Sequence, residues 1–263
     1  MNYIINKIMP EVTHIRDMDT NIYVVEGQTS ALVIDTGYGF QNLREQVKQI
    51  TDKPVTAIFT HGHIDHAFGG HHFEKVYMSE IELPVYEKHT AIKAQVKEHH
   101  APGDVGITKE ELEKWLEAKP RNITYTRAGD KFDLGGNVLE VISLKGHTPG
   151  SIGLLDRKHR ILFSGDGVNN YIWMQLPESS SLEEYYETLK SLDPLQKDFD
   201  FICNGHSEVT LPVSFAEDMK AAVKALLDGA VGETFEHPVA SGKIYNHKSG
   251  CTIIYDPDKV HNK

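Results

Sequence analysis

Short runs of β-branched and aromatic residues, separated by turn formers, occupy the first part of the chain. The runs "THIRD", "NIYVVEG" and "SALVIDTG" predict three successive strands. A helix is predicted over Phe40 to Ile50, and the apolar run "VTAIFT" after Pro54 predicts a strand buried on both faces. That strand ends at His61. A strand followed by a tight loop and a helix is where α/β proteins place their chemistry, at the carboxyl end of the strand.

The stretch from 80 to 119 is predicted to be a mainly helical insertion. Thr108 and Glu111 fit a capping box at the start of its second helix, and "HHAPGDVG" forms the loop between the two helices. The insertion could close over a site as a lid. A plain helical hairpin on the surface is the alternative.

The β-rich pattern returns at Ile123 and continues to the end of the chain. The run "SIGLLDRKHRILFSGD" predicts a hairpin with a polar turn at Asp156 to His159, and "FDFICNGH" predicts another apolar strand that ends in a histidine. Ser181 with Glu184 predicts a capped helix, a further helix is predicted over Met219 to Leu227, and "GKIYNHKSGCTIIYD" predicts a closing hairpin.

Two similar halves, about residues 1–120 and 121–263, predict two sheets packed face to face with helices outside, within a single domain over 1–263. The formal net charge of -11 argues against nucleic acid or an anionic membrane surface as a partner. The N-terminus has no export signal, and no window approaches the roughly 18 apolar residues of a membrane span. We therefore expect a cytoplasmic protein with a small-molecule substrate, in which homo-oligomerisation is left open and Cys203 and Cys251 are free, buried thiols.

The segment "FTHGHIDHAFGG" crowds metal-ligand residue types into six positions, namely His61, His63, Asp65 and His66. Two histidines at spacing i, i+2 can reach one ion, and an Asp and a His just beyond them can face a second. One segment cannot complete two sites. Further candidates follow apolar strands, each directly after a glycine that permits a tight backbone: His147 in "KGHTPGS", Asp166 in "LFSGDG" and His206 in "CNGHSE".

Most of the 15 histidines are expected to be ordinary surface residues, such as His14, His89, His159 and His261. The pairs "GGHH" at Gly69 to His72 and "EHH" at Glu98 to His100 resemble ligand pairs in composition alone. Neither pair sits at a strand end, so neither is expected to bind metal.

The motif "HGHIDH", followed by "GHTPGS", "SGD" and "GH" and preceded by "VIDTG", resembles the metallo-β-lactamase superfamily over nearly the whole chain. The resemblance implies a four-layer αββα sandwich of two mixed β-sheets with helices on both outer faces. It also implies two divalent metal ions, usually zinc, with iron or manganese as alternatives.

The resemblance further implies a role for each candidate ligand. The first metal would be held by His61, His63 and His147. The second would be held by Asp65, His66 and His206. Asp166 would bridge the two metals, and Asp35 would orient the ligands, with a turn residue at a strand end as the alternative for Asp35.

Two such metals can hold a bridging water as hydroxide at neutral pH, and the net charge of about +1 then left on the centre stabilises an oxyanion. Asp65 is the natural group to accept or pass on a proton. The bridging Asp resembles the glyoxalase-II-like and lactonase-like branch, which implies hydrolysis of a small carboxylic ester, lactone or thioester. A β-lactam hydrolase, a phosphodiesterase and a non-hydrolytic dimetal redox protein are the alternatives.

The run "GVNNYIWMQLP" follows Asp166 and offers Tyr171, Trp173 and Met174 as the wall of an apolar substrate pocket. The other interpretation is that these three side chains cap the core under a loop.

Overall fold

The computed structural model describes residues 3–99, 107–120, 122–207 and 210–262, and the side chains of 94–99 lie outside that description. The chain forms two compact units. The first comprises residues 1–126 with 130–138, and the second comprises residues 127–129 with 139–263. The single domain with halves that meet near residue 120 stays a prediction.

The first unit is built on one mixed sheet with the strand order β1-β2-β3-β4-β5-β6-β7. Its strands are β1 (Ile4–Met9), β2 (Val12–Asp17), β3 (Thr20–Glu26), β4 (Ala31–Ile34), β5 (Val55–Ile58), β6 (Val76–Ser79) and β7 (Ile123–Thr126), and the short β8 (Lys131–Asp133) follows them in the chain. The pairs from β1 to β4 are antiparallel, and those from β4 to β7 are parallel. The carboxyl ends of β4 and β5 therefore lie side by side.

The helices of the first unit are α1 (Leu43–Ile50), α2 (Ile64–Ala67), α3 (Leu83–His99) and α4 (Lys109–Glu117). The prediction that the first helix begins at Phe40 was wrong, because the Asn42 side chain caps the helix by accepting from the Glu45 backbone N–H. The capping box of Thr108 and Glu111 is confirmed. Residues 100–106 lie outside the described residues, and the lid role of the insertion stays a prediction.

The second unit contains two sheets. Its strands are β9 (Val138–Ser143), β10 (Ile152–Asp156), β11 (Ile161–Gly165), β12 (Tyr171–Met174), β13 (Phe201–Asn204), β14 (Leu211–Pro212), β15 (Glu233–Phe235), β16 (Gly242–Asn246) and β17 (Thr252–Tyr255). One sheet has neighbours in the order β14-β13-β11-β10-β9, and the smaller one has the order β12-β17-β16-β15. The predicted β10–β11 and β16–β17 hairpins are confirmed.

The helices of the second unit are α5 (Leu182–Ser191) and α6 (Phe215–Leu227). The predicted cap of α5 is confirmed, since Ser181 Oγ accepts from the Glu184 backbone N–H at 3.1 Å. Helix α6 begins four residues before the predicted Met219, because Phe215 and Ala216 already pack in the core of this unit. The apolar face of α6 is therefore about one turn longer than the hydrophobic periodicity of the sequence predicted.

Cys203 and Cys251 are both free and buried, as predicted. Burial raises the pKa of the Cys203 thiol to about 12 and that of the Cys251 thiol to about 11, so neither is a thiolate at neutral pH. Among the helices that the structure describes, none has the length and apolar character to cross a membrane.

Candidate metal centre

The first unit brings four of the predicted ligands together in the loop and short helix after β5. His63 is the N-cap of α2, so Asp65 and His66 fall on its first turn. The rings of His61 and His63 lie 4.6 Å apart between centroids, and those of His61 and His66 lie 4.2 Å apart. His66 Nε2 is 3.3 Å from Asp65 Oδ2. All three imidazoles are buried.

Asp35, directly after β4, forms hydrogen bonds with His66 of this cluster and with Thr60, the residue before His61. Its Oδ1 accepts from the Thr60 backbone N–H at 2.7 Å, and its Oδ2 lies 2.8 Å from both Thr60 Oγ1 and His66 Nδ1. An ionised carboxylate can only accept, so the proton of His66 sits on Nδ1 and its Nε2 keeps a lone pair for a metal.

The same carboxylate fixes a second imidazole through Thr60. The Thr60 hydroxyl donates its proton to Asp35, and its oxygen lies 3.1 Å from His61 Nδ1. That oxygen can then only accept from His61, which leaves Nε2 of His61 as the donor atom for a metal. One buried carboxylate thereby sets the tautomer of two candidate ligands.

The second unit brings the other three predicted ligands together. Strands β9 and β11 both run antiparallel to β10, and β13 runs parallel to β11, so the three carboxyl ends lie at one edge. His147, Asp166 and His206 follow these three strands. Asp166 Oδ2 lies 3.1 Å from His206 Nε2 and 3.6 Å from His147 Nε2, and Asp166 is only 9% exposed.

Two hydrogen bonds to backbone carbonyl oxygens hold His147 at this edge of the sheet. Its Nδ1 lies 2.6 Å from the Trp173 carbonyl oxygen, which can only accept, so Nε2 of His147 carries the lone pair. The His147 carbonyl accepts from Ser179 Oγ at 2.9 Å. A Cβ at Gly146 would overlap the Tyr185 ring, which explains the glycine before this histidine.

All seven predicted ligands belong to groups of side chains that could hold a metal ion. His89 and Glu178 also belong to such a group and were missed from sequence. His89 was predicted on the surface, but it is half-buried, and its ring stacks on that of His63 at 4.3 Å. No spacing signal links these two histidines, because His89 lies inside α3 and only the fold brings it to the loop.

The other histidines follow the predictions in part. His71 bonds the Phe68 carbonyl through Nδ1, and burial lowers the pKa of His72 to about 3; among the described residues neither belongs to a group that could hold a metal. His261 is exposed as predicted, whereas His14 and His159 are half-buried. His100 lies outside the described residues.

The predicted pocket residues take different positions along β12. Tyr171 is 44% exposed, and Met174 is 1% exposed within the core of the second unit, so Met174 has a packing role. Trp173 is half-buried, with its ring 4.8 Å from that of His237 and 6.4 Å from that of Phe235. Strand alternation explains the split, since Met174 points to the face opposite Trp173.

Comparison with known proteins links this arrangement to a large family. The model of the metallo-beta-lactamase superfamily matches residues 15–206. The chain is 29% identical over 217 residues to the acyl-coenzyme A thioesterase MBLAC2 of Gallus gallus, covering 74% of this chain and 72% of that protein. It is 22% identical over 141 residues to the hydroxyacylglutathione hydrolase GloC of Haemophilus influenzae, covering 54% and 62%.

Solved structures agree at the level of the fold. A metallo-beta-lactamase from Pontibacter korlensis matches with a TM-score of 0.60 and 17% identity, over 84% of this chain and 98% of that one. The sec-alkylsulfatase Pisa1 from Pseudomonas sp. matches with a TM-score of 0.64 and 16% identity, over 85% and 42%. Together with the mixed sheets and helices of the two units, these matches confirm the predicted fold class.

Proposed function

Because the chain belongs to the metallo-β-lactamase superfamily, we propose that it is a metal-dependent hydrolase that cleaves a small-molecule thioester. One observation carries the proposal: a single buried carboxylate oxygen, Asp166 Oδ2, lies beside both His147 Nε2 and His206 Nε2. The names of the two relatives, an acyl-coenzyme A thioesterase and a hydroxyacylglutathione hydrolase, support a thioester within the wider class of esters, lactones and thioesters.

The donor set fits two divalent ions. Imidazole nitrogen with a minority of carboxylate oxygen suits zinc, and iron and manganese are the alternatives. We propose the arrangement implied by the sequence: His61, His63 and His147 for one ion, Asp65, His66 and His206 for the other, and Asp166 for both. The hydrogen bonds on Nδ1 of His61, His66 and His147 support it, since each leaves Nε2 as the donor atom.

When bound, such ions supply Lewis acidity and lower the pKa of a water molecule. The chain supplies the rest. Asp35 and the Trp173 carbonyl hold the ligand rings in one tautomer, and the Asp65 carboxylate accepts a proton from the attacking water. As the new C–O bond forms, the C–S bond breaks and its electron pair leaves on sulfur.

Thioesters suit a site of this kind because their leaving group needs no proton. A thiol ionises at a pH of about 8.5, so the sulfur can depart as thiolate near neutral pH. An alkoxide is far more basic, and an alkyl ester would require a general acid. Asp65 can pass its proton on to a leaving group, but only an alkoxide depends on that transfer, so a thioester makes the smaller demand on the site.

The test compares matched substrates on metal-replete protein. We expect the butyryl thioester of N-acetylcysteamine to be hydrolysed with a higher kcat/KM than ethyl butyrate, a γ-lactone, a chromogenic cephalosporin or bis-nitrophenyl phosphate. Asp166→Ala should lower kcat for the thioester, while the exposed Asp228→Ala should leave it unchanged. A higher kcat/KM for the cephalosporin or the phosphodiester would contradict the proposal.

A further inference from the structure

His147 stands in the loop between β9 and β10, and a second loop holds its backbone. Ser179 Oγ donates to the His147 carbonyl at 2.9 Å, and the Ser180 backbone N–H donates to the Gly146 carbonyl at 2.9 Å. Both serines are buried, and both belong to the loop between β12 and α5. The position of this candidate ligand therefore depends on the conformation of the loop between β12 and α5.

The carbonyl groups of that loop converge on the side chain of Lys259. Its Nζ donates to the carbonyl oxygens of Leu176 at 3.1 Å, Pro177 at 2.7 Å and Ser179 at 3.2 Å. An ammonium group has three N–H donors and no acceptor, so these three oxygens match its donors one to one. Ser179 thus bonds Lys259 through its carbonyl and His147 through its hydroxyl.

Three carbonyl groups that point at one place need a cation there. Their dipoles bring three partial negative charges together, and these repel one another unless a positive group lies between them. Without the Lys259 ammonium, the loop would lower this repulsion by turning its carbonyls apart. Such a rearrangement moves Ser179 and with it the hydrogen bond to the His147 carbonyl.

Lys259 is itself held by the residues around it. The Asp256 side chain caps the short helical turn that contains Lys259, by accepting from the Asp258 backbone N–H at 2.9 Å. The Val260 carbonyl accepts from the Glu183 backbone N–H of α5 at 3.1 Å. These contacts fix the backbone of Lys259 next to the start of α5, where the loop ends.

We infer that Lys259 is a positioning residue for His147, because it holds the loop whose Ser179 fixes the backbone of this candidate metal ligand. The inference rests on the proposed function, in which His147 binds one of the two ions. The match to the family model ends at residue 206, so Lys259 lies outside the part of the chain that the model covers. If Lys259 only stabilised the fold, its loss would lower Tm without changing zinc affinity.

The first experiment measures zinc affinity by competition with a chromophoric chelator. Lys259→Met keeps an apolar stem and removes the three donors, and we expect zinc to bind about 10-fold more weakly. His147→Ala should cause a larger loss. Arg160→Met is the matched control, because it also removes one positive charge and two hydrogen bonds to Asp200, but before β11 rather than after it. It should leave zinc affinity unchanged.

Lys259→Arg refines the test and replaces Lys259→Met if that variant does not fold. Arginine keeps the positive charge, but its donors spread in a plane and cannot converge on one point as those of an ammonium do. We therefore expect a zinc affinity between those of wild type and Lys259→Met. Thermal unfolding of the metal-free variants shows that each one is folded at the temperature of the assay.

The second experiment asks whether Lys259 acts through Ser179. Ser179→Ala removes the hydroxyl that bonds the His147 carbonyl and should also weaken zinc binding. Two residues that act along one path are not independent, so the double variant with Lys259→Met should lose little more zinc affinity than the weaker single variant. Losses that multiply would show that Lys259 does not act through Ser179.

The outcomes separate the inference from the proposed function. Wild-type zinc affinity in Lys259→Met or Lys259→Arg, while His147→Ala loses zinc, would overturn the inference and leave the proposed function intact. Losses that multiply in the double variant would overturn it as well. The expected losses of zinc affinity, in a protein that hydrolyses no thioester, would support the inference and overturn the proposed function.

Discussion

At the scale of single residues, Asp35 has the widest influence on the candidate metal centre. It is buried, it has a left-handed backbone with φ of 60°, and it reaches His66 directly and His61 through Thr60. An aspartate tolerates this backbone conformation better than most residues. Asp35 directly follows β4, which pairs in parallel with β5, and therefore lies next to the loop after β5 that contains Thr60 and His61.

Asp35→Asn should therefore weaken metal binding and turnover while the chain still folds. The amide can present N–H to His66 or Thr60, so the rings lose the acceptor that fixes their tautomer. We expect a loss of about 10- to 100-fold in metal affinity or kcat. Metal analysis after dialysis and kcat measure it, with the exposed Asp52→Asn as the control. Unchanged values in both variants would show that Asp35 only ends its strand.

Tyr185 supports the other ligand set through the backbone. Its hydroxyl donates to the Gly167 carbonyl at 2.8 Å, directly after Asp166, and its ring fills the space beside Gly146. Burial raises the pKa of this phenol well above its ordinary value, so the hydroxyl stays a donor. Tyr185→Phe should lower the free energy of unfolding by about 1–3 kcal/mol. Urea denaturation checks this, and an unchanged midpoint would contradict it.

At the scale of elements, α3 and α4 are joined by a buried lysine. Lys93 Nζ donates to the Trp115 carbonyl at 2.8 Å and to the Ala118 carbonyl at 2.9 Å, at the end of α4. The same ammonium lies 4.9 Å from the centre of the Phe68 ring. Burial lowers the pKa of Lys93 to about 8. The two helices therefore enclose the Lys93 ammonium in surroundings where burial disfavours the charged form.

This lysine gives stability a defined dependence on pH. With a folded pKa near 8 and an unfolded pKa near 10.5, the native state binds fewer protons than the unfolded state between those values. The contribution of Lys93 to the free energy of unfolding should thus rise from pH 8 to about 10.5 and be flat below pH 8. Denaturation of wild type and Lys93→Met across this range measures the difference. A difference that falls as pH rises would contradict the assignment.

Local patterns predicted the elements well where a local rule decides them. The capping box at Thr108 and the hairpin turn at Asp156 depend on neighbours in sequence. Helix α6 was predicted too short because the contacts of Phe215 are long-range. The parallel pairing of β12 with β17 joins residues about 80 positions apart, and it decides which face Trp173 occupies. No local pattern carries that register.

At the scale of the whole molecule, the candidate ligands could be selected from the sequence because their motifs follow apolar strands and occur in a fixed order. The residues that orient them were less visible. Trp173 orients His147 through its backbone carbonyl, and His89 contacts His63 from inside a helix. Neither contact can be predicted from composition or residue spacing. Trp173 likewise meets Phe235 and His237 only through the fold. The formal net charge of -11 says nothing about a centre that imidazoles dominate.

The central claim, a dinuclear thioester hydrolase, is tested most directly by titrating metal-depleted protein with zinc and following hydrolysis of butyryl-N-acetylcysteamine. Seven candidate ligands, with Asp166 proposed to serve both ions, predict that activity is near zero without metal and reaches its plateau at two equivalents per chain. His66→Ala should need more zinc to reach its plateau. A plateau at one equivalent, or hydrolysis that does not depend on added metal, would contradict the account.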